Sequence, residues 1–145
     1  MTDFFINSIN EAIEKADTAE ENMKEIAEVF SSLSNSFIRI SNSKGALKII
    51  KKHRDLPKNG LLATAVAAQM FLNQTEPYNA LILENINNTL TAEIAEVIYS
   101  EDGYPIRLKI KDNTKTYYDK ESLIDGLNEI IKSTEVGKAY KRLLD

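Results

Sequence analysis

The chain has 145 residues, enough for one domain with a substantial core, and its 43% hydrophobic and 28% charged residues are ordinary for a globular protein in water. It has no cysteine, which excludes disulfides, thiol nucleophiles and cysteine metal sites and agrees with a cytoplasmic location. No secretory signal is predicted, and the most apolar stretch, residues 60–72, is shorter than the roughly 20 residues of a membrane span. We therefore expect no membrane contact.

Charge is sorted into blocks along the chain. Residues 1–38 hold eight acids and two lysines, residues 39–58 hold seven bases and one acid, and residues 59–106 hold six acids and no Lys or Arg. Exposed ion pairs contribute little energy individually but select orientation and partner. We expect the first two blocks to pair with each other, within a subunit or across a dimer.

The first block contains an apolar stripe with helical spacing. Its residues are separated by three or four positions, which predicts one long helix, or a helix pair broken near Asp17, over residues 3–37. Two interpretations remain open: a bundle helix inside the molecule, or a coiled coil that joins copies of the chain. In the second case the predicted oligomer interface consists of Ile9, Ile13, Met23, Ile26, Phe30, Leu33 and Phe37. Phe4 and Phe5 could dock on the core or on a neighbouring subunit.

Three further helices are predicted before residue 90. A basic helix over residues 44–54 would turn Leu47 and Ile50 inward, and Pro57 and Gly60 would end it. The Ala-rich residues 61–73 predict a central buried helix, and residues 77–87 predict another helix that begins at Pro77.

From residue 91 the pattern changes to strands. Residues 104–110 alternate apolar and polar side chains, which predicts a strand paired with residues 93–100 and followed by a third strand at 115–118. Asp119 can cap a helix over residues 120–132, and a last helix begins at Ser133. The predicted fold is α+β: a helical part of about four helices in residues 1–90, then a three-stranded antiparallel meander and two helices in residues 91–145, in one compact domain.

No motif for catalysis accompanies this pattern. The single histidine, His53, lies between Lys52 and Arg54, where positive charge disfavours a proton-accepting or metal-binding role. No nucleophile motif, calcium loop or glycine-rich phosphate loop is present in the sequence. We predict no catalytic residue, no metal and no cofactor, and we expect a protein that is not an enzyme.

Basic residues offer an alternative function in nucleic-acid binding, because each phosphate contact would release counterions. In residues 93–132 the order of three strands and a helix resembles the small DNA-binding modules of integrase arm-binding domains and plant AP2-type domains, which implies a basic sheet face that contacts DNA. The predicted contacts are Lys44, Lys48, Lys51, Lys52, Arg54, Arg107, Lys109 and Lys111, with Lys115 added if the register allows. The net charge of −4 argues against non-specific binding.

A second alternative is a small nucleotide-like ligand stacked on aromatic side chains. Its predicted pocket consists of Tyr99, Tyr104, Arg107, Tyr117 and Tyr118.

The sequence as a whole favours a small non-enzymatic protein–protein interaction module, such as an adaptor, assembly factor or inhibitor, that forms homo-oligomers through its first helix. The 13 asparagines and the absence of Trp are typical of AT-rich genomes, so an origin in a phage or mobile element is a further hypothesis.

Overall fold

The computed structural model describes residues 3–55 and 75–144. In this part of the chain one long helix is followed by five strands and two short helices: α1 (Ile6–Ile40), β1 (Gly45–Asp55), β2 (Thr75–Asn85), β3 (Thr91–Ser100), β4 (Gly103–Ile110), β5 (Asn113–Tyr117), α2 (Lys120–Ile131) and α3 (Thr134–Leu144). The predicted central helix at 61–73 lies outside the described residues.

The predicted fold, with about four N-terminal helices and a three-stranded meander, is wrong. The helices predicted over residues 44–54 and 77–87 are replaced by the strands β1 and β2, which pair antiparallel along eleven residues each. Tertiary pairing has overridden local spacing here, because short runs of mixed Lys and Ile fit either period. The first helix is one continuous element that ends at Ile40, with no break at Asp17.

The five strands form one antiparallel sheet in the order β1–β2–β3–β4–β5. Successive side chains of a strand point to opposite faces, so the sheet has an inner face toward α1 and an outer face on the other side. The inner face carries most of the buried apolar side chains, among them Leu47, Leu83, Val97 and Leu108. The three strands and two helices predicted after residue 91 are present, but β3 also pairs with β2 inside the larger sheet.

Helices cover the inner face. From α1 come Ile26, Val29, Phe30 and Phe37, all under 9% exposed, and the two short helices complete the layer. The residues these short helices contribute are Leu123, Leu127 and Ile130 from α2 and Val136, Leu143 and Leu144 from α3. Across the described ranges, no helix combines the length and the apolar character needed to cross a membrane.

Candidate functional site

The N-terminal half of α1 extends beyond the domain. Every side chain from Asp3 to Thr18 is exposed, whereas the helix is buried against the sheet from Ile26 onward. A helix rises about 1.5 Å per residue, so the sixteen residues from Ile6 to Glu21, here called the α1 overhang, span about 24 Å.

The overhang ends where the turn between β3 and β4 meets the helix. The Asn22 side-chain amide donates to the carbonyl of Asp102 at 3.0 Å. Gly103 has a φ of 89°, and a Cβ built on it would lie 2.6 Å from the Cβ of Asn22. A side chain at position 103 would therefore be strained and would push the helix away, so this glycine lets the turn hold α1 at Asn22.

The overhang carries an apolar surface in water. Ile6, Ile9 and Ile13 are 50%, 57% and 54% exposed, and they lie three and four residues apart, which places them on one side of the helix. At the helix start, Phe4 and Phe5 are 82% and 70% exposed. An apolar group of this kind on a protein surface is typical of an interaction site.

The predicted oligomer interface is thus divided between two environments. Ile26, Phe30 and Phe37 are buried in the core of their own chain, and Leu33 is half-buried against it. Ile9 and Ile13 lie in the overhang, and Met23, at its base, is 37% exposed. The first of these environments matches the bundle-helix interpretation, and the second leaves the coiled-coil interpretation open for residues 6–23.

The overhang is strongly acidic. The ion pair between Glu11 and Lys15 at 3.7 Å lies within the helix itself, and both side chains are well exposed. The charged residues of the exposed N-terminal segment are Asp3, Glu11, Glu14, Asp17, Glu20 and Glu21, with Lys15 as the single base. Negative charge therefore surrounds the apolar side chains.

The basic block does not pair with these acids among the described residues. Lys48 pairs with Glu84 at 2.6 Å, and Lys52 pairs with Glu93 at 3.4 Å. These partners belong to β2 and β3, not to α1, so the expected pairing of the first two charge blocks does not occur within the subunit among the described residues. Pairing across a dimer stays a prediction. Lys44 and Lys51 remain exposed.

Arg54 is the centre of the largest charged group on the outer face. Its guanidinium hydrogen-bonds Glu96 at 2.7 Å and also Glu76, and it lies 4.9 Å from the ring centroid of Tyr78. The bonds to Glu96 first and Glu76 second raise the pKa of Arg54 above its ordinary value. Because these carboxylates already form hydrogen bonds with the Arg54 guanidinium, a phosphate would have to displace them to bind there.

The bases of the predicted hairpin surface do not share one face. Arg107 and Lys109 lie on the outer face, opposite the buried Ile106 and Leu108. Lys111 is in the turn after β4 and pairs with Glu135 at 2.8 Å. Lys115 pairs in register with Leu108, which places it on the inner face. Basic charge is therefore distributed over both sides of the sheet.

The structure does not bring the predicted aromatic pocket together. Tyr99 and Tyr104 are half-buried and Tyr117 is buried, all packed with the core, whereas Tyr118 is 71% exposed. The Tyr104 hydroxyl donates to Glu25 at 2.8 Å, and burial followed by this bond raises the pKa of Tyr104. Arg107 lies on the opposite face of the sheet.

Four glutamates on β2 and β3 that pair with the bases of β1 were not predicted from the sequence: Glu76, Glu84, Glu93 and Glu96. Counting charge by block hid them, because the signal is alternation along β2 and β3 with a cation on the facing strand. Over residues 3–55 and 75–144, no group of three or more His, Asp or Glu side chains is arranged to hold a metal ion.

In comparisons with known proteins, no family model, no curated protein and no solved structure matches the chain.

Proposed function

We propose that the protein is a non-enzymatic interaction module that associates with a second copy of itself through the α1 overhang. One observation carries this proposal: Ile6, Ile9 and Ile13 are half or more exposed on one side of a helix that extends beyond its own domain. Fully burying an apolar side chain of this size contributes about 1.5–3 kcal/mol. These three side chains are about half exposed, so each gains part of that energy when a partner covers it.

A second copy is the occupant that fits the stripe. The residues of the overhang continue the same three- and four-residue spacing with which Ile26, Phe30 and Phe37 pack in the core. Two overhangs side by side can therefore place apolar side chains between one another at the usual helix separation of about 8–10 Å. This pairing needs no rearrangement of the domain, because the overhang is already helical.

The expected dimer is weak. A helix of about 10 Å width and about 24 Å length covers roughly 240 Å², well below the roughly 800 Å² per partner of a standard interface. The acids around the stripe also repel those of the second copy. Phe4 and Phe5 add exposed apolar area close by. We therefore expect dimerisation that depends on protein concentration and that strengthens with salt, because salt screens the repulsion.

Light-scattering mass on a sizing column tests the proposal. Wild-type protein should approach the dimer mass as its concentration rises, and the double variant Ile9→Asp with Ile13→Asp should remain a monomer. The matched control is Asn7→Asp with Thr18→Asp, which adds the same two negative charges to the overhang at exposed positions that are neither three nor four residues from Ile6, Ile9 or Ile13. This control should still dimerise.

Two results would contradict the proposal: a wild-type monomer at every concentration, or an unchanged dimer mass in the folded Ile9→Asp with Ile13→Asp variant. The dependence of the dimer on salt shows whether the overhang binds a second overhang or a different surface. Dissociation on adding salt would point to a contact between the acidic overhang and a cationic surface, and so would contradict pairing between two overhangs.

A further inference from the structure

A cavity of about 320 Å³ opens between the inner face of the sheet and the two short helices. It lies beside the turn between β4 and β5, at the opposite end of the sheet from the α1 overhang. Its apolar lining comes from Ile94, Leu108, Ile110, Ile130, Val136 and Ala139. This volume is at the lower end of the range that small-molecule pockets occupy, and a concave, mostly apolar site with a few polar groups is their usual form.

Tyr117 supplies a buried polar group to this cavity. Its side chain is 8% exposed, and no hydrogen bond of its hydroxyl to a described residue contributes to its pKa. The ring fits there because position 126 is glycine: a Cβ on Gly126 would overlap the ring and the hydroxyl of Tyr117. Burial raises the pKa of Tyr117, so its hydroxyl keeps its proton and is available as a donor.

Lys115 lies two residues before Tyr117 on the same face of β5 and also lines the cavity. No carboxylate of the described residues lies within 4 Å of its ammonium group. The three glutamates that line the cavity each have another cation: Glu129 pairs with Lys132 at 2.9 Å, Glu135 with Lys111 at 2.8 Å, and Glu93 with Lys52 at 3.4 Å. The charge of Lys115 also lowers the pKa of Glu129, after the larger effect of Lys132, but among the described residues Lys115 forms no ion pair of its own. It is therefore the cation of the lining that is left to contact a ligand.

We propose that this cavity binds a small molecule with an apolar body and a single terminal carboxylate. The apolar body lies against the aliphatic lining, and the carboxylate accepts from the Lys115 ammonium and the Tyr117 hydroxyl. A donor and a cation side by side on one edge strand select an anion, and a carboxylate bound to both makes charge-assisted hydrogen bonds.

The charge and the size of the cavity define the ligand further. A monoanion matches one lysine that has no ion pair of its own, whereas Glu129 and Glu135 would repel a doubly charged phosphate more strongly than a carboxylate. At about 30 Å³ per water, the cavity holds roughly ten water-sized groups. A straight-chain carboxylate of about eight carbons has this size.

Octanoate is the probe, and titration calorimetry on the full chain measures its affinity. We expect octanoate to bind, 1-octanol to bind about tenfold more weakly because it lacks the charge, and octylamine not to bind. Lys115→Met should weaken octanoate binding about tenfold, and Tyr117→Phe should weaken it severalfold. The matched control is Lys109→Met, which removes the same charge from the outer face of the neighbouring strand and should leave the affinity unchanged.

The proposal fails if octanoate does not bind, if octanol binds as tightly as octanoate, or if Lys115→Met and Lys109→Met have the same effect. The comparison of octanoate with octanol on the wild-type protein needs no variant, so it decides the question even if a substitution disturbs folding. Because the cavity is remote from the overhang, the result of the octanoate titration does not depend on the oligomeric state of the protein.

Discussion

The two halves of α1 have the same spacing of apolar residues but different surroundings. From Ile26 to Phe37 the stripe packs on the inner face of the sheet, and from Ile6 to Glu21 it is exposed. The hydrogen bond from Asn22 to the turn between β3 and β4 marks the boundary. Periodicity therefore predicts a helix and the side on which its apolar residues lie, but it does not predict what covers them.

The length of the sheet limits how much of α1 can be buried. α1 packs on both β1 and β4. The eleven residues of β1, the longer of the two strands, span roughly 36 Å at about 3.3 Å per residue, while the 35 residues of α1 span about 52 Å. A helix this much longer than the strands it packs on extends beyond the sheet. The stripe of the extending half then contributes nothing to the stability of the isolated domain, and this leaves it available for association.

The largest expected difference between the halves is in the free energy of unfolding. Ile26→Ala should lower it by about 2–5 kcal/mol, because Ile26 is 1% exposed and its truncation leaves a cavity. Ile13→Ala should change it by less than about 0.5 kcal/mol, because Ile13 is 54% exposed. Urea denaturation at low protein concentration, which disfavours the proposed association, measures both.

The same two variants can contradict this contrast between the buried and the exposed half of α1. An equal loss of stability in Ile13→Ala at low concentration would mean that the overhang packs against its own domain. At high concentration Ile13→Ala should begin to lower the apparent stability, since association stabilises the folded state by mass action.

Local signals in the sequence predicted the C-terminal strand and helix boundaries well. The alternation of Tyr104, Ile106, Leu108 and Ile110 matches β4, and Asp119 caps α2 as expected. Both signals depend on residues close in sequence, so a single sequence is sufficient to read them. The acidic charge of the overhang and its apolar stripe could be predicted for the same reason.

The first two strands could not be predicted in this way. Lys44, Lys48 and Lys51 have helical spacing, and Ile49 and Ile50 fit a helix or a strand equally well. These residues form a strand and not a helix because β1 pairs with β2. The paired residues are up to 40 positions apart in the sequence, from Gly45 with Asn85 to Asp55 with Thr75. The cavity beside Tyr117 was missed for the same reason, because it forms only where β5 meets helices that come later in the chain.

The junction between the two halves is expected to have an intermediate effect on stability. Gly103→Ala should lower the free energy of unfolding by about 1–3 kcal/mol, because its positive φ disfavours a side chain and its Cβ would contact Asn22. Gly137→Ala in α3 is the control: its Cβ meets nothing within 4 Å, so alanine should raise stability by up to about 1 kcal/mol. Thermal denaturation that gives the two variants the same sign would contradict the close approach of the turn to α1.

The first residues of the helices extend the contrast between free and packed segments. At the start of α1, Phe5 provides no side-chain cap, and the helix begins in solvent. At the start of α2, the Asp119 carboxylate accepts from the backbone amide of Ser122 at 2.8 Å, and the Ser122 side chain bonds back to the backbone amide of Asp119. The bonds from Ser122 lower the pKa of Asp119.

This capping box gives the smallest predicted effect, a pH dependence. A carboxyl whose pKa is lower in the folded state stabilises the fold above its ordinary value of about 3.9, and this contribution is lost as the pH falls through the lowered value. Acidification from neutral pH should therefore cost the wild type more stability than Asp119→Asn, since asparagine also caps a helix but does not titrate. The control is Asp125→Asn, on the exposed side of α2, which should lose as much stability as the wild type. Equal losses in wild type and Asp119→Asn would mean that the bonds from Ser122 do not stabilise the start of α2, and that it begins as weakly capped as the overhang.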